Sequence, residues 1–440
     1  MKTLVKSLLL VISSTATTAR AQDLPPPTSD RDYRAVDLDA ARLGHSLFYD
    51  PILSGNKSIA CATCHHPKFA TGDGLSLSFG DGGIGLGPDR VFDPNNKPEE
   101  RIPRNAPALF NLGAHEFRVM FHDGRLEEDP SFAGGIRTPL DSDMLEGFES
   151  VLAAQTMFPV LSRDEMAGSY RENDVAQAVR QGRITGKDGA WDILSKRVAE
   201  IPEYADQFID VYDHISSPDH ITFADISNAI AAFMEFEWRS DQSRFDALLR
   251  NELDFEGAEL RGLELFYGTA NCSNCHSGAF QTDHKFHAMG APQIGPGKSA
   301  TFETHHRDDG RFRVTGNEED RFAFRTPSLR NVALTGPYGH AGAHADLFDF
   351  LSSHLDPSAG LMDYDISKAV LPAFDHDDAV IMSSADDVAA ISSAIEVQPI
   401  QLSDTDIANL VAFLKTLTDE SSITGRFGVP ETVPSGLDVP

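Results

Sequence analysis

Cysteine placement constrains this chain more than any other feature. All four cysteines fall in two copies of one pentapeptide, Cys61-Ala62-Thr63-Cys64-His65 and Cys272-Ser273-Asn274-Cys275-His276, with 207 residues between Cys64 and Cys272. C-x-x-C-H is the attachment pattern of c-type haem. Two thiols add to the two vinyl groups of the tetrapyrrole, and the next residue offers an imidazole to the iron. Zinc is the competing use of paired C-x-x-C, but a zinc ribbon keeps its pairs close and has no His abutting each one. Two disulfides would suit an exported chain, and the duplicated spacing argues against them. The pattern predicts two covalently bound c-type haems. Cys61, Cys64, Cys272 and Cys275 attach them, and His65 and His276 are the proximal iron ligands.

The N-terminus fits that reading. Met1–Lys6 is basic, Leu8–Ile12 opens a short apolar stretch, and Ala19-Arg20-Ala21 is a small-residue cleavage pattern ahead of Gln22. Residues 1–21 therefore read as a secretory signal peptide. Haem c is attached outside the bacterial cytoplasmic membrane, so the mature protein is expected in the periplasm. No later run reaches the ~18 apolar residues of a membrane span. The chain has 67 acidic and 37 basic residues, a net charge of −30. Loss of Lys2, Lys6 and Arg20 with the leader takes it to −33. That balance excludes nucleic acid, whose binders displace counterions with cationic side chains, and it suits a basic soluble partner.

The haem motifs sit inside a wider repeat. Gly44-His45-Ser46-Leu47-Phe48-Tyr49 precedes the first, and Gly262-Leu263-Glu264-Leu265-Phe266-Tyr267 precedes the second. Pro107-Ala108-Leu109-Phe110-Asn111 is echoed by Pro327-Ser328-Leu329-Arg330-Asn331, and Phe121-His122-Asp123-Gly124 by Gly339-His340-Ala341-Gly342. This reads as two tandem cytochrome c-like domains in a mainly α fold, each with one haem. Residues 22–250 form the first, with a long connecting helix, and 251–418 the second. Residues 419–440 read as a loose tail. Helices are expected over Ala40–Phe48, Glu256–Tyr267, Thr222–Leu249 and Ser403–Leu417, and a loop over Gly72–Pro88. Trp191 and Trp238 read as packing residues. Asp308-Asp309 and Asp375–Asp378 read as solvated surface, and His284, His287, His305 and His306 as exposed loop histidines.

From about residue 38 to 418 the chain resembles the bacterial dihaem cytochrome c peroxidases and their MauG-like relatives. The resemblance rests on Leu43–Asp50, Arg104-Asn105-Ala106-Pro107, Asp123-Gly124-Arg125, Gln155, Glu165-Met166, Arg325–Val332 and Pro337-Tyr338, in addition to the two haem motifs. In that family the N-terminal haem cleaves hydrogen peroxide and the C-terminal haem receives electrons from a small redox protein. The resemblance implies H₂O₂ as substrate and a small cytochrome c or cupredoxin as donor. It assigns acid/base work to Glu165, with Gln155 beside it. It implies a Ca²⁺ held by the Asn105 side chain and by carbonyls of Arg325 to Pro327. It also admits a homodimer, for which the residues carry no interface signature.

The chain departs from the family pattern in three places. There is no histidine between His66 and His115 to close the N-terminal iron, so that site is expected open in the ferric state. The slot for the sixth ligand of the C-terminal iron, Met or Tyr in the family, falls on His354, with Met362 as the runner-up. Where the family has a Trp between the haems, this chain has His122, which is far harder to oxidise. The main reading is a periplasmic dihaem peroxidase; the alternatives are a MauG-like enzyme that oxidises residues of a partner protein and a dihaem electron carrier without catalysis.

Overall fold

The helix Leu38–Tyr49 starts where Asp37 accepts hydrogen bonds from the Asp39 and Ala40 N–H groups at 2.8 and 3.2 Å, satisfying donors that the first turn leaves free. It runs into the first C-x-x-C-H turn, which follows after a short loop. Its inner face packs on the helix Phe223–Glu237, which is capped reciprocally by Thr222 and Asp225. The two backbones meet at Gly44, where a Cβ would stand 1.8 Å from the Ala229 carbonyl oxygen. The same arrangement recurs downstream. The helix Gly257–Phe266 leads into the second motif and packs on Asp404–Lys415. A Cβ at Gly262 would stand 1.9 Å from the Asn409 oxygen. The repeated glycines are thus the contact points of two helix crossings, one in each half.

The computed structural model describes residues 24–300 and 303–440. The leader at 1–21 lies outside the described residues. The fold is helix-rich, 40% helical, with only short two- and three-stranded sheets among the described residues. Among them, no helix is long and apolar enough to cross a membrane. One hydrophobic core fills the N-terminal half around Phe48, Phe233 and Trp238, and a second fills the C-terminal half around Phe245, Phe266 and Phe413. Trp191 and Trp238 are both buried packing residues. The first core also takes Phe280 from the C-terminal half, edge-on to Tyr33 and Phe117 at 5.8 and 5.5 Å.

Three expectations need correction. The stretch 222–249 is two helices, Phe223–Glu237 and Arg244–Leu249, because Ser243 and Asp246 form a new capping box. Asp308 and Asp309 are each only 2% exposed. Asp308 receives a bidentate ion pair from Arg104 at 2.7 and 2.8 Å, and Arg104 also reaches Asp123 at 2.7 Å. This buried triad joins the halves. Residues 419–440 are not a loose tail but a strap that returns to the N-terminal half, where Val433 is buried. Phe427 and Gly428 N–H groups bond the buried Glu237 carboxylate at 2.8 and 2.9 Å, and Ser435 bonds Asp50 at 2.7 Å.

Candidate functional site

The first motif forms one helical turn, Cys61–Cys64, so both thiols project from the same short element. None of the four cysteines is in a disulfide. Burial pushes the Cys61, Cys64 and Cys272 thiols up to about 12, so they are neutral without a partner. Nδ1 of His65 donates to the Thr71 carbonyl at 3.0 Å. In the second motif Nδ1 of His276 donates to the Gln281 carbonyl at 3.2 Å. A carbonyl can only accept, so each ring carries its proton on Nδ1 and keeps a bare Nε2. This is how metal-binding imidazoles are oriented. The repeat extends to the prolines, since the Pro107 backbone acts on His65 and the Pro327 backbone on His276.

Cys61, Cys64 and His65 open into a cavity with an empty volume of about 1160 Å³. Gln155, Glu165, Arg125 and His122 line the same space. Gln155 is carried on the helix Val151–Thr156, capped by Ser150, and its Oε1 is buried with no hydrogen-bond partner. Glu165 sits in a wide helical turn, Arg163–Ala167, of the kind that recurs at functional sites. The glycine-rich loop holds that turn. Asp81 N–H donates to the Glu165 carbonyl at 2.8 Å, and a Cβ on Gly80 would lie 2.2 Å from the Glu165 oxygen. Arg90 pins the loop through the Phe79, Gly80 and Gly85 carbonyls. Burial raises the Glu165 carboxyl above the usual glutamate range, with Arg125 and Lys298 pulling the other way.

Neither His66 nor His115 lines this cavity. His66 faces its own turn, with Nδ1 accepting from Lys68 N–H at 3.1 Å. His122 does line it, but its Nε2 donates to the Asn105 carbonyl at 3.1 Å, while its own carbonyl accepts from Arg325 N–H at 2.8 Å. His122 therefore stands between the two segments named for calcium. The Asn105 amide donates to the Leu75 and Ser76 carbonyls at 2.8 and 3.3 Å, and Arg325 pairs in a short strand with Phe286.

In the C-terminal half the helix Leu347–Leu355, capped by Asp346, brings His354 over the second motif. The His276 and His354 ring centroids are 6.4 Å apart with an interplanar angle of 52°. Two imidazoles bonded to one metal at about 2 Å each require a separation of this order. Burial, then the facing His276, pushes His354 down to about 4, so it is neutral. Met362 is 65% exposed on the next helix. The donors fit the two tetrapyrroles: paired thiols beside oriented imidazoles, one large cavity, and one facing imidazole pair.

Sequence reading missed Lys298, which enters the N-terminal cavity from the C-terminal half, because nothing local marks a lysine that acts across halves. Of the histidines read as exposed, His287 is instead clamped between Asp283 and Glu396 at 3.1 and 2.7 Å, and His284 bonds Glu116 at 2.9 Å.

The family model for di-haem cytochrome c peroxidase matches residues 39–254. Cytochrome c551 peroxidase of Nitrosomonas europaea is 28% identical over 312 residues, 71% of each chain. Methylamine utilization protein MauG of Methylorubrum extorquens is 27% identical over 406 residues, 91% of this chain and 83% of that one. The crystal structure of a MauG-like protein associated with microbial copper homeostasis aligns with a TM-score of 0.58 at 26% identity, covering 92% of this chain and 96% of the other.

Proposed function

The chain belongs to the di-haem cytochrome c peroxidase family and is an enzyme of that family, and from this we propose that it reduces hydrogen peroxide in the periplasm with electrons from a small soluble redox protein. The observation that carries the reading is the cavity shared by the first haem motif, Glu165 and Gln155. Haem held by Cys61, Cys64 and His65 would supply the two-electron chemistry for cleaving the O–O bond. The overall balance is H₂O₂ + 2H⁺ + 2e⁻ → 2H₂O. The protein's part is proton handling. Ionised Glu165 takes the proton from one peroxide oxygen and delivers it to the departing one. The unpartnered Gln155 Oε1 accepts the other O–H and orients the molecule. Among the described residues, no histidine but His65 and His122 lines the cavity, which supports peroxide entry without prior opening.

His276 and His354 are the residues that would hold the iron of the second haem. A His/His pair sets a lower potential than His/Met, so the holoenzyme variant His354→Met is expected to raise the potential of that haem in a spectroelectrochemical titration. An unchanged potential and spectrum would remove His354 from the iron.

The test of the function is H₂O₂-dependent oxidation of a reduced basic cytochrome c, started from the fully ferric and from the half-reduced holoenzyme. Turnover from both is expected, falling as added salt shortens the Debye length below ~10 Å, since the sequence carries a net charge of −30. Turnover only after half-reduction would mean that a ligand closes the site. No turnover from either would shift the reading to oxidation of a partner protein.

A further inference from the structure

Lys298 belongs by sequence to the C-terminal half, yet it lines the cavity of the N-terminal half. It follows Gly295 and Gly297, both at positive φ. The turn is anchored where Gly295 N–H bonds the Asp378 carbonyl at 2.8 Å, and Asp378 in turn pairs with Arg101 at 2.9 Å. Five residues on, the same segment bears Glu303, which pairs with Arg313 at 2.6 Å. A few residues further it bears Asp308, which is locked to Arg104. The described stretch that bears Lys298 is thus anchored at Gly295, and Lys298 reaches the cavity from it.

The ammonium finds no anion there. Among the described residues Lys298 makes no hydrogen bond and no ion pair. Burial, and then repulsion by the guanidiniums of Arg125 and Arg104, lowers it to about 8. Asp308 and Asp123 attract it more weakly, and Arg104 already occupies both. Arg125 is fixed beside it, stacked 3.5 Å over the Phe121 ring and 3.1 Å from Asp123. Glu165, the carboxyl of this cavity, is not within ion-pair distance of either, and burial raises it. An unpaired ammonium facing a poorly solvated space beside a guanidinium is costly, and an anion placed between the two removes that cost.

We propose that Lys298 and Arg125 form a carboxylate-holding corner of the N-terminal cavity, assembled from both halves of the chain. Its occupant is either a carboxylate arm of the tetrapyrrole attached at Cys61 and Cys64 or a free carboxylate from solution. In both cases the C-terminal half completes the ligand site of the N-terminal half. The inference rests on haem being held by the first motif. The wild-type chain is therefore assayed first for two haems per chain, and a lower count would sink that premise and not the corner itself.

The experiment compares holoenzyme of wild type, Lys298→Met and Lys298→Arg in three readouts: the potential of the N-terminal haem, the melting temperature, and an acetate titration followed in the haem absorption. If the carboxylate is the tetrapyrrole's own, K298M lowers both the potential and the melting temperature, K298R restores both, and acetate leaves the wild-type spectrum unchanged. If it is a free anion, acetate perturbs the wild type saturably. K298M then weakens its binding by about tenfold or more, as loss of a charge-assisted hydrogen bond requires, and K298R retains it. A K298M protein identical to wild type in all three readouts overturns the proposal. So does a low-spin N-terminal haem that turns high-spin in K298M, because the amine would then be an iron ligand.

Discussion

Glu165→Gln is expected to lower peroxide turnover by about 10²–10⁴-fold while leaving haem content and melting temperature unchanged, a loss in the range seen when a positioned acid/base group is removed. The amide keeps the volume and can still donate and accept within the cavity, but it cannot shuttle a proton. The pH profile separates this role from a packing role. Burial raises the Glu165 carboxyl, and the group must be ionised to accept the peroxide proton. The wild-type kcat/KM should therefore fall on the acid side at a pH above the ~4.3 of an ordinary glutamate. E165Q should lack that limb. A variant that keeps more than about a tenth of wild-type turnover, or keeps the acid limb, would remove Glu165 from the chemistry. Gln155→Leu should cost less, because orientation is lost and proton transfer is not.

The parts of the molecule that were legible in the sequence are those fixed by local or repeated spacing. The C-x-x-C-H turns carry their own geometry. The echo of Gly44 in Gly262 pointed to equivalent helices, and both glycines lie where two helix backbones meet. His354 was reached through resemblance, by counting to the family's ligand slot in the helix after Pro337-Tyr338, and its ring lies 6.4 Å from that of His276. Glu165 was legible only through resemblance, since a five-residue turn has no periodicity to read. What stayed hidden depends on partners far along the chain. Asp308 looks like solvated surface in an acidic run, and its partner Arg104 is 204 residues away. Lys298 looks like any loop lysine until the other half of the chain supplies the cavity around it. The strap at 419–440 was misread because its composition is that of coil. Its backbone is largely coil, but its contacts are those of a core.

That strap makes the second large prediction. Ending the holoenzyme at Thr424 should lower its stability by about 3–5 kcal/mol, the penalty for stranding a buried charge, and its melting temperature by on the order of 10 °C. Glu237 is 1% exposed, and its carboxylate oxygens are met by the Phe427 and Gly428 N–H groups. Without them the carboxylate loses both donors beside Tyr49, whose own hydroxyl has no partner and is pushed up by burial and then by Glu237. Truncation also removes the Phe427 ring, packed 4.8 Å from Phe236 and 5.5 Å from His45. Apolar loss and stranded charge can be told apart. Adding Glu237→Leu to the truncated chain removes the charge but not the lost ring contacts, and it should recover more than half of the deficit. In the full-length chain the same substitution should destabilise, since it leaves two strap N–H groups unmet. Additive effects of the truncation and E237L would mean that the carboxylate and the strap are not coupled, and that the strap holds by apolar contact alone.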